Sequence, residues 1–175
     1  MMGGPNRVRQ ETEVVQVNIW GNASHVTKQE QRYATSFFLN ELVGTRLASN
    51  IVISISNLKR KEHEHALLYG EVLWKKNNHL PRDFSVHVNP VLTRATSLKT
   101  LAHELVHVKQ FARGEMKDLG YKSKLSRRWK DNRRYDPSDR NGYWTFPWEI
   151  EARAKEVVLF DLYSNHLDRM NLSFS

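Results

Sequence analysis

Ser97-Leu98-Lys99-Thr100-Leu101-Ala102-His103-Glu104-Leu105-Val106-His107-Val108-Lys109-Gln110-Phe111-Ala112-Arg113 is the stretch on which the fold turns. Leu98, Leu101, Leu105, Val108 and Phe111 recur at i, i+3, i+7, i+10 and i+13, the spacing of an amphipathic helix. Thr96 or Ser97 is placed to cap it, and Gly114 to end it. At its centre lies His103-Glu104-Leu105-Val106-His107. Four residues along a helix make roughly 400° of turn and about 6 Å of rise, so both imidazoles share one face. That face can offer two nitrogens to one ion at the zinc–nitrogen distance of about 2.0–2.1 Å. Glu104, beside His103, can reach a water on such an ion. A carboxylate is what the chemistry needs there, to take the proton as the water attacks a carbonyl.

Composition narrows the metal ligands. The 175 residues contain no cysteine, which excludes disulfides, thiolate zinc sites, iron–sulfur clusters and a cysteine nucleophile. Any metal must therefore be held by His and carboxylate. A zinc site of this type needs a third ligand and an open fourth position. Only His166 remains downstream as a histidine, whereas Pro147-Trp148-Glu149-Ile150-Glu151-Ala152 opens a last helix with two carboxylates. Glu149 and Glu151 lie about 200° apart on a helix, so only one can face the ion. Pro147 suits a first helical turn, and the helix runs to about His166.

Outward from this centre, the remaining segments read as strands and one further helix. Glu13–Trp20 alternates as a strand and stops at Gly21-Asn22. Thr27 to Val43 carries helical spacing, with Thr27 and Glu30 forming a capping box and Gly44 a stop. Ile51–Ile55 and Ala66–Trp74 read as strands, Gly70 marking a bulge or a close approach. Phe84–Val88 alternates strictly and ends at Asn89-Pro90, the pattern of an edge strand. The segment 117–142 is polar and basic, with turns at Asp136-Pro137 and Asn141-Gly142. The fold class is α+β in one domain, residues 13–175, behind a flexible arm at 1–12.

At +8 with a sequence pI near 9.8, the chain carries an excess of base. Residues 117–140 hold nine Lys/Arg against four Asp, with Tyr121, Trp129 and Tyr135 interleaved. Phosphates could meet those bases, so a nucleic acid or an acidic protein segment is a candidate partner of 117–140. No segment approaches the roughly 20 apolar residues of a membrane span, and no apolar stretch follows Arg7 as in a signal peptide. The expectation is a soluble, cytoplasmic protein with no membrane partner. His63-Glu64-His65 has the alternate spacing of a metal pair on a strand, but follows Lys59-Arg60-Lys61-Glu62 and reads as a charged turn. His87 reads as a surface or packing residue.

Thr100–Gln110, Gly114-Glu115 and Pro147–Ala152 together resemble the small phage-encoded zinc metallopeptidase-like proteins, related to SprT-like and gluzincin peptidases. The resemblance extends upstream through Pro81–Val88 and covers roughly residues 80–156. It implies a zincin-like fold, with an N-terminal helix and a small, mostly antiparallel sheet packed on the His103–His107 helix and followed by a ligand helix. It implies zinc on His103 and His107, with Glu104 as general base. In related gluzincins the third-ligand glutamate is often followed by Ala three residues on, which favours Glu149, with Ala152, over Glu151. Arg153 falls where several relatives carry Asp or Asn to orient a ligating histidine. The implied activity is hydrolysis of an intracellular protein or peptide substrate, laid antiparallel along Phe84–Val88 and across the metal. A donor for the oxyanion is also needed, and Tyr143 is the nearest candidate ahead of Tyr135, Arg153 and His166. The implied setting is a viral protein in a host cytoplasm. A second class of function is a basic binding protein on the same scaffold, with zinc structural or absent.

Overall fold

A computed structural model describes residues 15–58, 69–74, 80–120, 124–130 and 132–174. The expected arm at 1–12 and the His63-Glu64-His65 motif lie outside them. β1 (Gln16–Trp20), α1 (Lys28–Val43), the single turn α2 (Thr45–Ala48), β2 (Val52–Ser56), β3 (Gly70–Trp74) and β4 (Asp83–Val88) precede α3 (Arg94–Ala112). The short strands β5 (Lys117–Asp118), β6 (Arg127–Arg128) and β7 (Arg134–Tyr135) follow, then a 3-10 turn at Tyr143–Thr145 and α4 (Pro147–Met170).

The main sheet has the order β1-β2-β4-β3. β1 and β2 are parallel, as are β2 and β4, and only β3 runs antiparallel, to β4. The α+β class stands, but the sheet is mixed rather than mostly antiparallel. Ile53 and Ile55 of β2 and Phe84 and Val86 of β4 are wholly buried in register with one another. Their alternation gives the sheet one apolar face, on which α3 packs. α1 and α4 pack against α3 in turn.

The edge-strand reading of Phe84–Val88 is overturned. β4 is hydrogen-bonded on both sides, to β2 and to β3. Asn89-Pro90 lies just beyond the ladder, so the proline removes no ladder bond and carries no information about the edge. Among the described residues the edges of the sheet are β1 and β3.

Two helix starts differ from expectation for a local reason. Thr27 caps α1 by accepting from Glu30 N at 3.1 Å, but the reciprocal half of the box is not made. The buried Glu30 carboxylate instead takes the Arg94 guanidinium at the start of α3, tying the two helices together. α3 begins a turn earlier than Ser97: Thr93 has the extended backbone a cap needs and accepts from Thr96 N at 3.4 Å. α4 runs one turn past His166, because Leu167 is buried and Asn171 supplies the left-handed terminator, with Leu172 N bonded to Leu167 O.

Residues 117–142, polar and basic in sequence with turn signals, contain a three-stranded antiparallel sheet, β5-β6-β7. No apolar alternation announces it. It is held by Arg127, whose guanidinium lies over Phe111 and Trp148, and by Tyr135, packed against Phe146 and Trp148.

Candidate metal centre

Helical period brings three ligand-type side chains to one point. His103 and His107 lie one turn apart on α3, and Glu149 sits in the first turn of α4, where a carboxylate is favoured by the helix N-terminus. His103 Nε2 is 3.2 Å from His107 Nε2 and 3.3 Å from Glu149 Oε2, and His107 Nε2 is 3.4 Å from Glu149 Oε1. Ligand atoms about 2.0–2.1 Å from a tetrahedral ion stand about 3.3–3.4 Å apart, the separation of the two imidazole nitrogens and of each imidazole from the carboxylate oxygen that faces it. The cluster is largely buried and could hold a metal ion. Glu151 is not part of it. Its carboxylate takes Lys109 Nζ at 2.8 Å and Gln110 Nε2 at 2.9 Å.

Each imidazole is oriented by a second partner. Gln110, fully buried, donates through Nε2 to Trp148 O at 3.0 Å and to Glu151, which leaves its Oε1 to face His107 Nδ1 at 2.8 Å. His107 therefore carries a proton on Nδ1, which turns Nε2 into the cluster, where it faces Glu149 and is the nitrogen that would ligate a metal once deprotonated. His103 Nδ1 lies 2.7 Å from Glu156 Oε2, so its Nε2 is turned inward in the same way. Glu156 went unnoticed in the sequence, although it follows Glu149 by seven residues, two turns along the same face. Arg153 orients neither imidazole: its Nε donates to Glu149 O at 3.2 Å, and its guanidinium lies over the Trp144 ring and donates to Trp144 O at 2.6 Å.

The electrostatics of the cluster favour a cation. Burial draws the His103 pKa down, but hydrogen bonds to Glu149 and Glu156 and the charge of Glu104 outweigh it and hold the group up at about 9. Glu149 is driven well below the carboxylate range: burial opposes this, and the bonds to His103 and His107 overcome it. Positive charge is thus favoured where His103, His107 and Glu149 meet, the charge a bound metal ion would supply.

Glu104 lines the same cavity, of about 770 Å³, together with His107, Glu149, Tyr143 and the length of β3. Burial raises its carboxyl to about 7 against the pull of His107 and His103, with Glu149 and Glu71 adding to the rise. Gly70 is the close approach expected of it. A Cβ there would stand 2.6 Å from Thr100 Cγ2 and 2.7 Å from Glu104 Oε1, so the bare backbone of β3 fixes where the carboxylate lies.

Tyr143 reaches the site from the 3-10 turn. Burial, the charge of Glu149 and a hydrogen bond to it push the phenol pKa well up, so Tyr143 remains a proton donor. The other donors considered do not converge there. Tyr135 packs on Trp148, and His166 Nε2 lies 2.7 Å from Tyr33 Oη, in an aromatic group with Phe37. His87 is buried in β4, with Glu71 as its register partner on β3.

Among the described residues no helix is long and apolar enough to cross a membrane. No protein family, curated protein or solved structure matches the chain.

Proposed function

We propose that this protein is a zinc-dependent endopeptidase with a zincin-like fold, in which His103, His107 and Glu149 hold the metal. The observation that carries this reading is the convergence of His103, His107 and Glu149, one ligand atom of each lying within 4.8 Å of the others, with Glu104 in the cavity that this cluster borders. Zinc bound there supplies Lewis-acid polarisation of a carbonyl and acidifies water at neutral pH.

The chain's own groups do the rest. The border of β3, which is an edge strand among the described residues, takes an extended peptide by strand addition, in place of Phe84–Val88, which β3 covers. Glu104 receives the proton of the water that adds to the scissile carbonyl carbon. It delivers that proton to the amide nitrogen as the carbon–nitrogen bond breaks, and its pKa near 7 suits both transfers. Tyr143, protonated throughout, donates to the carbonyl oxygen as negative charge develops on it. Glu156 and Gln110 hold the two imidazoles in the tautomer that binding requires.

The test is elemental analysis of protein purified without chelator, paired with hydrolysis of an unfolded protein substrate. The expected result is one zinc per chain in both wild type and Glu104→Gln. Hydrolysis in the variant falls by about two to four orders of magnitude, the range for loss of a general acid–base group. Chain that carries no zinc and takes none up defeats the reading, as does a Glu104→Gln variant that hydrolyses at the wild-type rate.

A further inference from the structure

The two rows of the small sheet β5-β6-β7 face opposite ways. In one, Asp118, Arg127 and Tyr135 are register partners. This row turns inward: Arg127 lies over Phe111 and Trp148 and pairs with Asp118 at 3.6 Å, while Tyr135 packs on Phe146 and Trp148. Alternate residues of a strand point to opposite faces, so the other row lies on the opposite face of the small sheet, with Arg134 exposed and Lys117 and Arg128 half-buried. That row is Lys117, Arg128 and Arg134, each directly opposite the next.

Three cations placed side by side across neighbouring strands, about 5 Å apart, repel one another and cost stability. None of the three has an ion-pair partner among the described residues. Neighbouring charges are, in contrast, satisfied internally. Lys130 reaches Glu115 at 3.3 Å and Glu151 at 3.6 Å, Lys124 reaches Asp136 at 3.5 Å, and Arg127 has Asp118. The basic segment therefore divides into cations that build the small sheet and a row with no ion-pair partner among the described residues.

We propose that the Lys117–Arg128–Arg134 row is a docking surface for the phosphate backbone of a nucleic acid. The row contains no apolar side chain, whereas a protein partner is seated on a desolvated apolar centre. Phosphate contacts need only charge, and the two arginines can each engage a phosphate through paired N–H groups. The field of the whole chain, at +8, favours a polyanion of any sequence. The surface is independent of the metal centre, because none of its residues touches His103, His107 or Glu149.

The experiment is binding of a labelled single-stranded oligodeoxynucleotide as a function of salt. Three phosphate contacts give a slope of about −2 in log affinity against log salt, an approximately 16-fold loss over a fourfold rise in salt. In Arg128→Gln/Arg134→Gln the slope should fall to about −0.7, leaving roughly a threefold loss. Arg128→Lys/Arg134→Lys keeps the charge and should keep the wild-type slope. Arg46→Gln/Arg169→Gln, on exposed residues of α2 and α4, removes the same charge and should leave the slope unchanged. On wild-type protein, bound oligonucleotide should protect Arg128 and Arg134 from an arginine-specific reagent, read by mass spectrometry. The proposal is overturned if the remote pair lowers the slope as much as the row pair, or if neither arginine is protected. It is also overturned if polyglutamate binds as tightly as the oligonucleotide at matched salt, which would give the surface to an acidic protein segment.

Discussion

Adding one methyl group at Gly70 tests whether the site is assembled by packing as described. A Cβ on Gly70 stands 2.6 Å from Thr100 Cγ2, 2.7 Å from Glu104 Oε1 and 2.9 Å from Glu104 Cγ, where ordinary contact begins at 3.4 Å. Thr100 and Glu104 lie one turn apart on a buried stretch of α3, so neither backbone yields easily. Gly70→Ala must therefore move the Glu104 carboxylate by about 0.7 Å or push β3 away from the helix by a similar distance. Overpacking of this size costs about 1–3 kcal/mol of stability. A misplacement approaching 1 Å costs about 10²-fold in rate, or about 2.7 kcal/mol of transition-state stabilisation. His103, His107 and Glu149 do not touch Gly70, so zinc affinity should stay at the wild-type value.

The assay combines denaturant unfolding, zinc titration against a competing chelator and hydrolysis of an unfolded protein. The expected pattern is lower stability, unchanged zinc affinity and a hydrolytic rate reduced about 30- to 100-fold. Thr100→Ser removes the nearest clashing atom, so the double variant should regain part of the stability. A Gly70→Ala protein with the wild-type rate would refute the positioning of Glu104 by β3. Equal loss of zinc and of rate would show that the substitution disrupts the whole helix pair rather than one carboxylate.

Other expectations concern the histidine partners and pH. In the metal-free protein His103 titrates at about 9 and Glu104 at about 7, both above their ordinary 6.5 and 4.5. The fold then binds these protons more tightly than the unfolded chain, so their contribution falls as pH rises from about 4.5 to about 9. Denaturant midpoints of chelated protein should show that decline, and saturating zinc should flatten it. Zinc uptake near pH 7 should release about one proton per ion from His103, measured by calorimetry in buffers of different ionisation enthalpy. Glu156→Ala should weaken zinc binding about 10- to 100-fold, read above pH 9, where His103 no longer holds a competing proton. Gln110→Leu leaves the His107 Nδ1–H and the Trp148 carbonyl without their partner and should cost about 1–3 kcal/mol by denaturant unfolding.

The positions that could be read in advance are those whose evidence lies within one helix or one close approach. The His103–His107 pair depends only on helical period, and Gly70 announced a contact because a glycine inside a strand leaves room for something. The edge of the sheet could not be read this way. A proline just past Val88 suits an edge strand and equally suits a central strand that has already ended, and only the pairing of β3 with β4 decides between them. The small sheet around Arg127 was likewise hidden, since cations stacked on aromatic rings hold it rather than an alternating apolar pattern.

The sequence by itself determined that any metal here must be bound by histidine and carboxylate, because there is no cysteine, and that two imidazoles share a face of one helix. It narrowed the third carboxylate to two residues of one segment. The tertiary structure alone decided between them: the crossing of α3 and α4 turns Glu149 toward the imidazoles and Glu151 toward Lys109 and Gln110. It also supplied Glu156 and Gln110 to the outer side of each ring. Helical period is a local property carried by the chain, whereas the angle at which two helices meet is set by the packing of everything between them.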